Sequence, residues 1–182
     1  KMANSDYNIL KDWMFGKLTS LLENTKPNPE YPVLKVSLGE PTLGVPNFTK
    51  KILDLNYDDW SKYPPSEAIP SYGNSILNYI KRRYPSADKL IKLNKNIVPV
   101  PGTREPLHLV GLLAKNLKVG KTTALITNPF YHAWLAGSIS SGSKIHWLNS
   151  VPENNYLPDI SKIPEKILKS SVIMYICSPS NP

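Results

Sequence analysis

A single cysteine, Cys177, in 182 residues rules out an internal disulfide framework and fits a reducing compartment. It sits in the apolar run VIMYIC, where cysteine acts as a small buried hydrophobe, so it is a poor candidate nucleophile. No stretch approaches the ~20 consecutive apolar residues that a membrane helix needs. The start KMANSDYNIL is polar and lacks the apolar centre of a signal peptide, so a soluble cytoplasmic protein is expected. The histidines, His108, His132 and His146, are too far apart to offer paired metal-ligand spacing. Arginine-rich arms and RNA-binding aromatic signatures are lacking too. The formal charge of +8 and pI near 9.4 come from lysines scattered singly or in pairs, with KRRY at residues 81–84 the densest cluster. That pattern reads as a solvated basic face and not as a nucleic-acid footprint. The NFT at residues 47–49 matches a glycosylation sequon, but with no secretion signal it reads as chance.

The GKTT at residues 120–123 looks like the tail of a nucleotide-binding phosphate loop. Such a loop needs a further glycine five residues earlier, where this chain has Lys115, and it follows a strand and opens a helix. Here the order is reversed, so the expectation is a helix-to-strand turn closed by Gly120.

Apolar spacing predicts a helix over residues 7–25, through Ile9, Trp13, Leu18, Leu21 and Leu22. Five prolines then interrupt residues 26–46, with a short extended piece expected at 33–38. Short helices follow at 49–55 and around Ile76, Leu77 and Ile80. From residue 97 the rhythm alternates: strands in NIVPVPG, TTALITNP, SKIHWLN and VIMYIC, and helices in TREPLHLVGLLAKNL, FYHAWLAGSISSG and DISKIPEKILKSS. The first of these helices is expected to carry Leu107, Val110, Leu113, Ala114 and Leu117 on one face. Apolar strands alternating with helices imply an α/β fold with a mostly parallel sheet covered on both faces. Ligands in such folds bind beyond the carboxyl ends of the strands.

The loops at those ends carry suitable chemistry. In GTRE, Gly102 permits close backbone approach and Thr103 can cap the following helix. Free amides, the Thr103 hydroxyl and the Arg104 cation would together hold a phosphate. In NPFY, Tyr131 can present a ring to a flat ligand, and in SPSNP a stiffened turn presents the Asn181 amide.

In this order and spacing, YPPSEAIPSY, PVPGTREPL, NPFYHAW and SPSNP resemble fold-type I pyridoxal-phosphate aminotransferases, with GTRE and NPFY most similar to the succinyldiaminopimelate aminotransferase branch. The resemblance implies that Gly102, Thr103 and Arg104 bind the cofactor phosphate, Tyr131 stacks on the pyridine ring and Asn181 hydrogen-bonds its 3-oxygen. It further implies that Tyr63 reaches the phosphate of the neighbouring subunit of a homodimer, and that Gly39 lies near the substrate carboxylate. The expected activity is amino transfer between an amino acid, with glutamate as donor, and a keto acid; a lyase of the same fold is the alternative. Residues 1–45 would form an arm contributing to the small domain, and 46–182 the amino-terminal part of the cofactor domain.

The chain departs from the family pattern at Ala68, usually glycine, and at Gly73, usually arginine. The resemblance places the Schiff-base lysine, the aspartate paired with the pyridine nitrogen and the carboxylate-binding arginine beyond Pro182. An amino-terminal portion with no catalytic residue of its own is therefore expected, inactive as an isolated piece.

Overall fold

A computed structural model of the chain describes residues 14–34, 36–37, 39–65, 70–87 and 89–180. It divides into two compact units, Lys26–Pro99 and Lys1–Thr25 with Val100–Pro182.

Helix α1, Met14–Leu22, realises the described part of the first predicted helix, and its Leu21 and Leu22 are exposed. In the Lys26–Pro99 unit, α2 spans Asn47–Leu55 and begins directly after Pro46. A 3-10 turn follows at Tyr57–Ser61. Helix α3, Pro70–Arg83, opens on proline, whose missing N–H costs nothing in a first turn. The short α4, Leu93–Asn96, lays Leu93 over α3. A Cβ at the buried Gly73 would fall 1.8 Å from Leu93 Cδ1, so this packing uses the space that a side chain at position 73 would need. The extended piece expected at 33–38 forms no strand at its described residues.

The first predicted strand, in NIVPVPG, forms no ladder among the described residues. Ile97 is extended, with φ −118° and ψ 122°, and residues 97–101 are unpaired there. Pro99 and Pro101 supply no N–H, which leaves one edge of this segment without donors.

Among the described residues the sheet has three strands: β1 (Thr123–Asn128), β2 (Lys144–Asn149) and β3 (Ser171–Tyr175), in the order β2-β1-β3 and all parallel. Strand β1 is buried on both faces from Thr123 to Thr127, as its run TALIT requires of a central parallel strand. In the register, Ile126 lies opposite both Trp147 and Tyr175, and Leu125 opposite Met174. The period of two then assigns Ile126, Trp147 and Tyr175 to one face and Leu125, Leu148 and Met174 to the other.

Helices α5 (Arg104–Leu117) and α6 (His132–Ser140) belong to the first face, where Trp134, Leu135 and Ile139 pack on Ile126 and Tyr175. The second face is covered by Ile163 and by Ile167 of α7, Glu165–Ser170. Coverage of both faces agrees with the α/β expectation. The helix predicted through DISKIPEKILKSS is broken in two: Asp159 caps a 3-10 turn, Ile160–Lys162, and Pro164 then precedes α7.

Helix α5 packs on the described core through Gly111, which is buried, and Leu107, whereas Val110, Leu113 and Leu117 are exposed among the described residues. Small residues set this contact. A Cβ on Gly111 would lie 3.0 Å from the Gly137 carbonyl carbon, and one on Gly137 would lie 2.3 Å from the His108 carbonyl oxygen. Helices α5 and α6 meet backbone to backbone at a crossing that excludes larger side chains.

Candidate functional site

The turn into α5 is set by its backbone. Gly102 has φ +128°, a conformation that residues with a Cβ rarely adopt, and a Cβ there would meet nothing within 4 Å. Glycine is thus needed for the dihedral and not for space. Thr103 takes the cap position, with φ −89° and ψ −14°, and its carbonyl accepts from the Leu107 amide at 3.1 Å. Thr103 is thus the N-cap expected from the sequence, although its hydroxyl makes no capping hydrogen bond. The consequence favours a ligand. The amides of Arg104 and Glu105 have no intrahelical acceptor, Pro106 has no N–H to satisfy, and the Thr103 hydroxyl is not spent on the cap.

Arg104 faces the loop after β1. Its Nε donates to the Tyr131 hydroxyl oxygen at 3.4 Å, joining two positions 27 residues apart. That bond, together with the electrostatic pull of Tyr131, raises the guanidinium pKa, and the carboxylate of Glu105 adds slightly in the same direction. Tyr131 itself is extended at the start of α6, with φ −88° and ψ 128°. Its neighbour Phe130 lies 5.1 Å from the Trp147 ring, and both Phe130 and the half-buried Tyr131 pack against the core cluster of Ile126, Trp134 and Tyr175. The Tyr131 ring lies 4.5 Å from the His132 ring, and Trp134 meets it edge-on at 6.1 Å. The His132 imidazole is pushed below its ordinary pKa, first by burial and then by the Arg104 charge. A cation, open amides and an aromatic ring thus converge at one end of the sheet.

Beneath this cluster are residues that sequence reasoning did not single out. Trp134 stacks on Tyr175 at 5.4 Å and 14°. The Tyr175 hydroxyl donates to the Leu107 carbonyl at 3.2 Å, and burial pushes its pKa up. Glycine inside an otherwise helical pattern, at 111 and 137, and a tyrosine ending an apolar strand were the available signals.

Of the other expected site residues, Asn181 lies outside the described residues, as does Ala68. The turn before Asn181 is described, and there the Cys177 thiol contacts the Pro179 carbonyl oxygen at 3.0 Å. Gly39 and Tyr63 belong to the Lys26–Pro99 unit. Gly39 is exposed with open space where a Cβ would stand; Tyr63 is fully exposed and lines a shallow groove with Trp60 and Pro64. The GKTT segment is the expected turn: Gly120, at φ +79°, links α5 to β1, and Lys121 gives its ammonium to the Lys169 carbonyl.

Comparison with known proteins places this geometry. The family model for aminotransferase class I and II matches residues 31–182. An LL-diaminopimelate aminotransferase from Dehalococcoides mccartyi is 24% identical over 177 residues, which are 95% of this chain and 43% of that protein. The LL-diaminopimelate aminotransferase 2 of Nostoc sp. is 26% identical over 152 residues, covering 82% and 38%. Among solved structures, an aminotransferase from Neisseria meningitidis superposes with a TM-score of 0.83 at 26% identity, covering 97% of this chain and 45% of that one. The chain spans less than half the length of these relatives. With the match running through the GTRE helix start, the NPFY loop and the three parallel strands, the chain belongs to the aminotransferase class I and II family, fold-type I proteins that depend on pyridoxal phosphate.

Proposed function

We propose that the full-length protein transfers an amino group from glutamate to a keto acid, with Gly102, Thr103 and Arg104 holding the phosphate of pyridoxal 5′-phosphate and Tyr131 stacking on its ring. The observation that carries this reading is the contact between Arg104 and Tyr131 at the open start of α5. The residues fit the group. Gly102 takes a positive φ just before a helix start whose first amides have no intrahelical acceptor, the Thr103 hydroxyl is not used as a cap, and a cation stands beside an aromatic ring. When bound, the cofactor supplies the electron sink for breaking a bond at the substrate's α-carbon. This chain's own contribution is to bind and orient: the helix start and Arg104 neutralise the dianionic phosphate, and Tyr131 fixes the plane of the ring.

The substrate reading is a diaminopimelate-type acid, in line with the names of the relatives and with the motif resemblance. In the same reading Asn181 meets the 3-oxygen, Gly39 lies by the substrate carboxylate, and the exposed Tyr63 reaches the phosphate site of the neighbouring subunit of a homodimer. Residues 1–45 form the arm and 46–182 the amino-terminal part of the cofactor domain. A cytoplasmic setting accords with the chain's single cysteine.

The deciding experiment is to load the full-length protein with pyridoxal phosphate and assay glutamate against a panel of keto acids that includes dicarboxylic ones. Formation of 2-oxoglutarate with the matching amino acid is expected. Release of ammonia or of an eliminated side chain, without 2-oxoglutarate, would reassign the protein to the lyases of this fold.

A further inference from the structure

Tyr175, the last residue of β3, has no place in the cofactor contacts described above, yet two of its partners, Trp134 and Leu107, each contact a residue that does. Its ring is stacked on Trp134, and Trp134 in turn meets the Tyr131 ring edge-on. Its hydroxyl leaves the sheet and donates to the Leu107 carbonyl at 3.2 Å. Leu107 is the residue whose amide closes the first turn of α5 on the Thr103 carbonyl. One hydroxyl therefore grips the turn that carries Thr103 and Arg104, while the ring of the same side chain supports the residue beside Tyr131.

Gly111 supports this reading independently. In a regular helix the Leu107 carbonyl accepts from the amide of residue 111, so the hydroxyl approaches α5 at the level of that residue. A Cβ at Gly111 would stand 2.9 Å from the Tyr175 hydroxyl oxygen. Glycine inside a helix lowers helix propensity, and here its bareness is what admits the hydroxyl.

Building on the phosphate reading above, we propose that Tyr175 is a positioning residue for the cofactor: through Leu107 it sets the start of α5 against the phosphate, and through Trp134 it sets the Tyr131 ring. The hydroxyl is separable from the ring, because Tyr175→Phe removes the bond to Leu107 and keeps the stack on Trp134.

The test measures Kd for pyridoxal 5′-phosphate and for pyridoxal, which lacks the phosphate, on the full-length apo-protein and its Tyr175→Phe, Gly111→Ala and Arg104→Ala variants. Tyr175→Phe should weaken pyridoxal phosphate by about three- to tenfold, the weight of one neutral hydrogen bond, and leave pyridoxal unchanged. Gly111→Ala should move the same ratio in the same direction by displacing the hydroxyl. Should Gly111→Ala fail to fold, Tyr175→Phe decides by itself. If Tyr175→Phe weakens both ligands equally, the residue is merely structural and the proposal is overturned. If Arg104→Ala lowers phosphate affinity while Tyr175→Phe leaves the ratio of the two Kd values unchanged, the positioning role alone fails. An Arg104→Ala variant with unaltered phosphate affinity would instead overturn the phosphate reading on which it rests.

Discussion

Arg104 Nε and Tyr131 Oη stand 3.4 Å apart, joining the start of α5 to the loop after β1. The distance is at the long end for a hydrogen bond, so the guanidinium is steered by the phenol without being consumed by it. Four of its five N–H donors are left for an anion.

Tyr131→Phe should therefore weaken pyridoxal phosphate less than Tyr131→Ala does, because the ring is kept and only the steering contact is lost. Arg104→Ala should cost more than Tyr131→Phe, about tenfold or greater in cofactor Kd, as removal of a charge-assisted contact usually does. Fluorescence titration of the full-length apo-protein reads all three. Equal losses for Tyr131→Phe and Tyr131→Ala would assign the residue's effect to its hydroxyl and not to its ring.

Gly102→Ala isolates the backbone contribution. At φ +128° an added Cβ is strained by the dihedral, although nothing stands within 4 Å to collide with it. The turn should relax and redirect the first amides of α5. Phosphate affinity is expected to fall severalfold, with little change in the near-ultraviolet circular dichroism of the Trp134–Tyr175 core. A loss of that core signal together with affinity would show that Gly102 holds the fold and not the ligand.

The chemistry of this end of the molecule was legible in the sequence to an unequal degree. Gly102, Thr103, Arg104 and Tyr131 could be read because backbone freedom, a short hydroxyl, a cation and an aromatic each leave a local signature next to a strand or helix boundary. The β1 run was legible because burial on both faces writes a continuous apolar stretch, and the shorter apolar runs of β2 and β3 were legible from the helices that alternate with them. Residues 97–101 read as a strand from their β-branched residues and form no ladder among the described residues, where Pro99 and Pro101 leave one edge without donors. The docking of α5 through glycine was not legible, because apolar periodicity does not register a contact made by a residue without a side chain. Only the tertiary contact of Gly111 with Gly137 and the Tyr175 hydroxyl reveals it.

That crossing gives a stability prediction. In Gly137→Ala the new methyl carbon would begin 2.3 Å from the His108 carbonyl oxygen, which is backbone and cannot rotate away. Overpacking of this kind costs about 1–3 kcal/mol. Gly142→Ala is the control: its φ of +72° is strained, but the site is open, so it carries a conformational cost without a collision. Thermal unfolding should rank Gly137→Ala below Gly142→Ala, and the reverse order would show that α5 and α6 have room to separate.

His132 makes stability depend on pH. Burial first, and the Arg104 charge second, disfavour the imidazolium, so the folded pKa lies below the ordinary 6.5. The unfolded chain then binds more protons than the folded one just below that value, and protonation favours unfolding. The stabilisation is complete above about pH 6.5 and is lost as the pH falls through the folded pKa. In His132→Gln this part of the acid-side decline in Tm should vanish, leaving whatever slope the other groups supply. In Arg104→Ala it should shrink but persist, because burial is the larger cause. Tm measured across this range for the three proteins tests the assignment directly: a slope abolished by Arg104→Ala would make the guanidinium the dominant cause, and a slope untouched by His132→Gln would place the titrating group elsewhere.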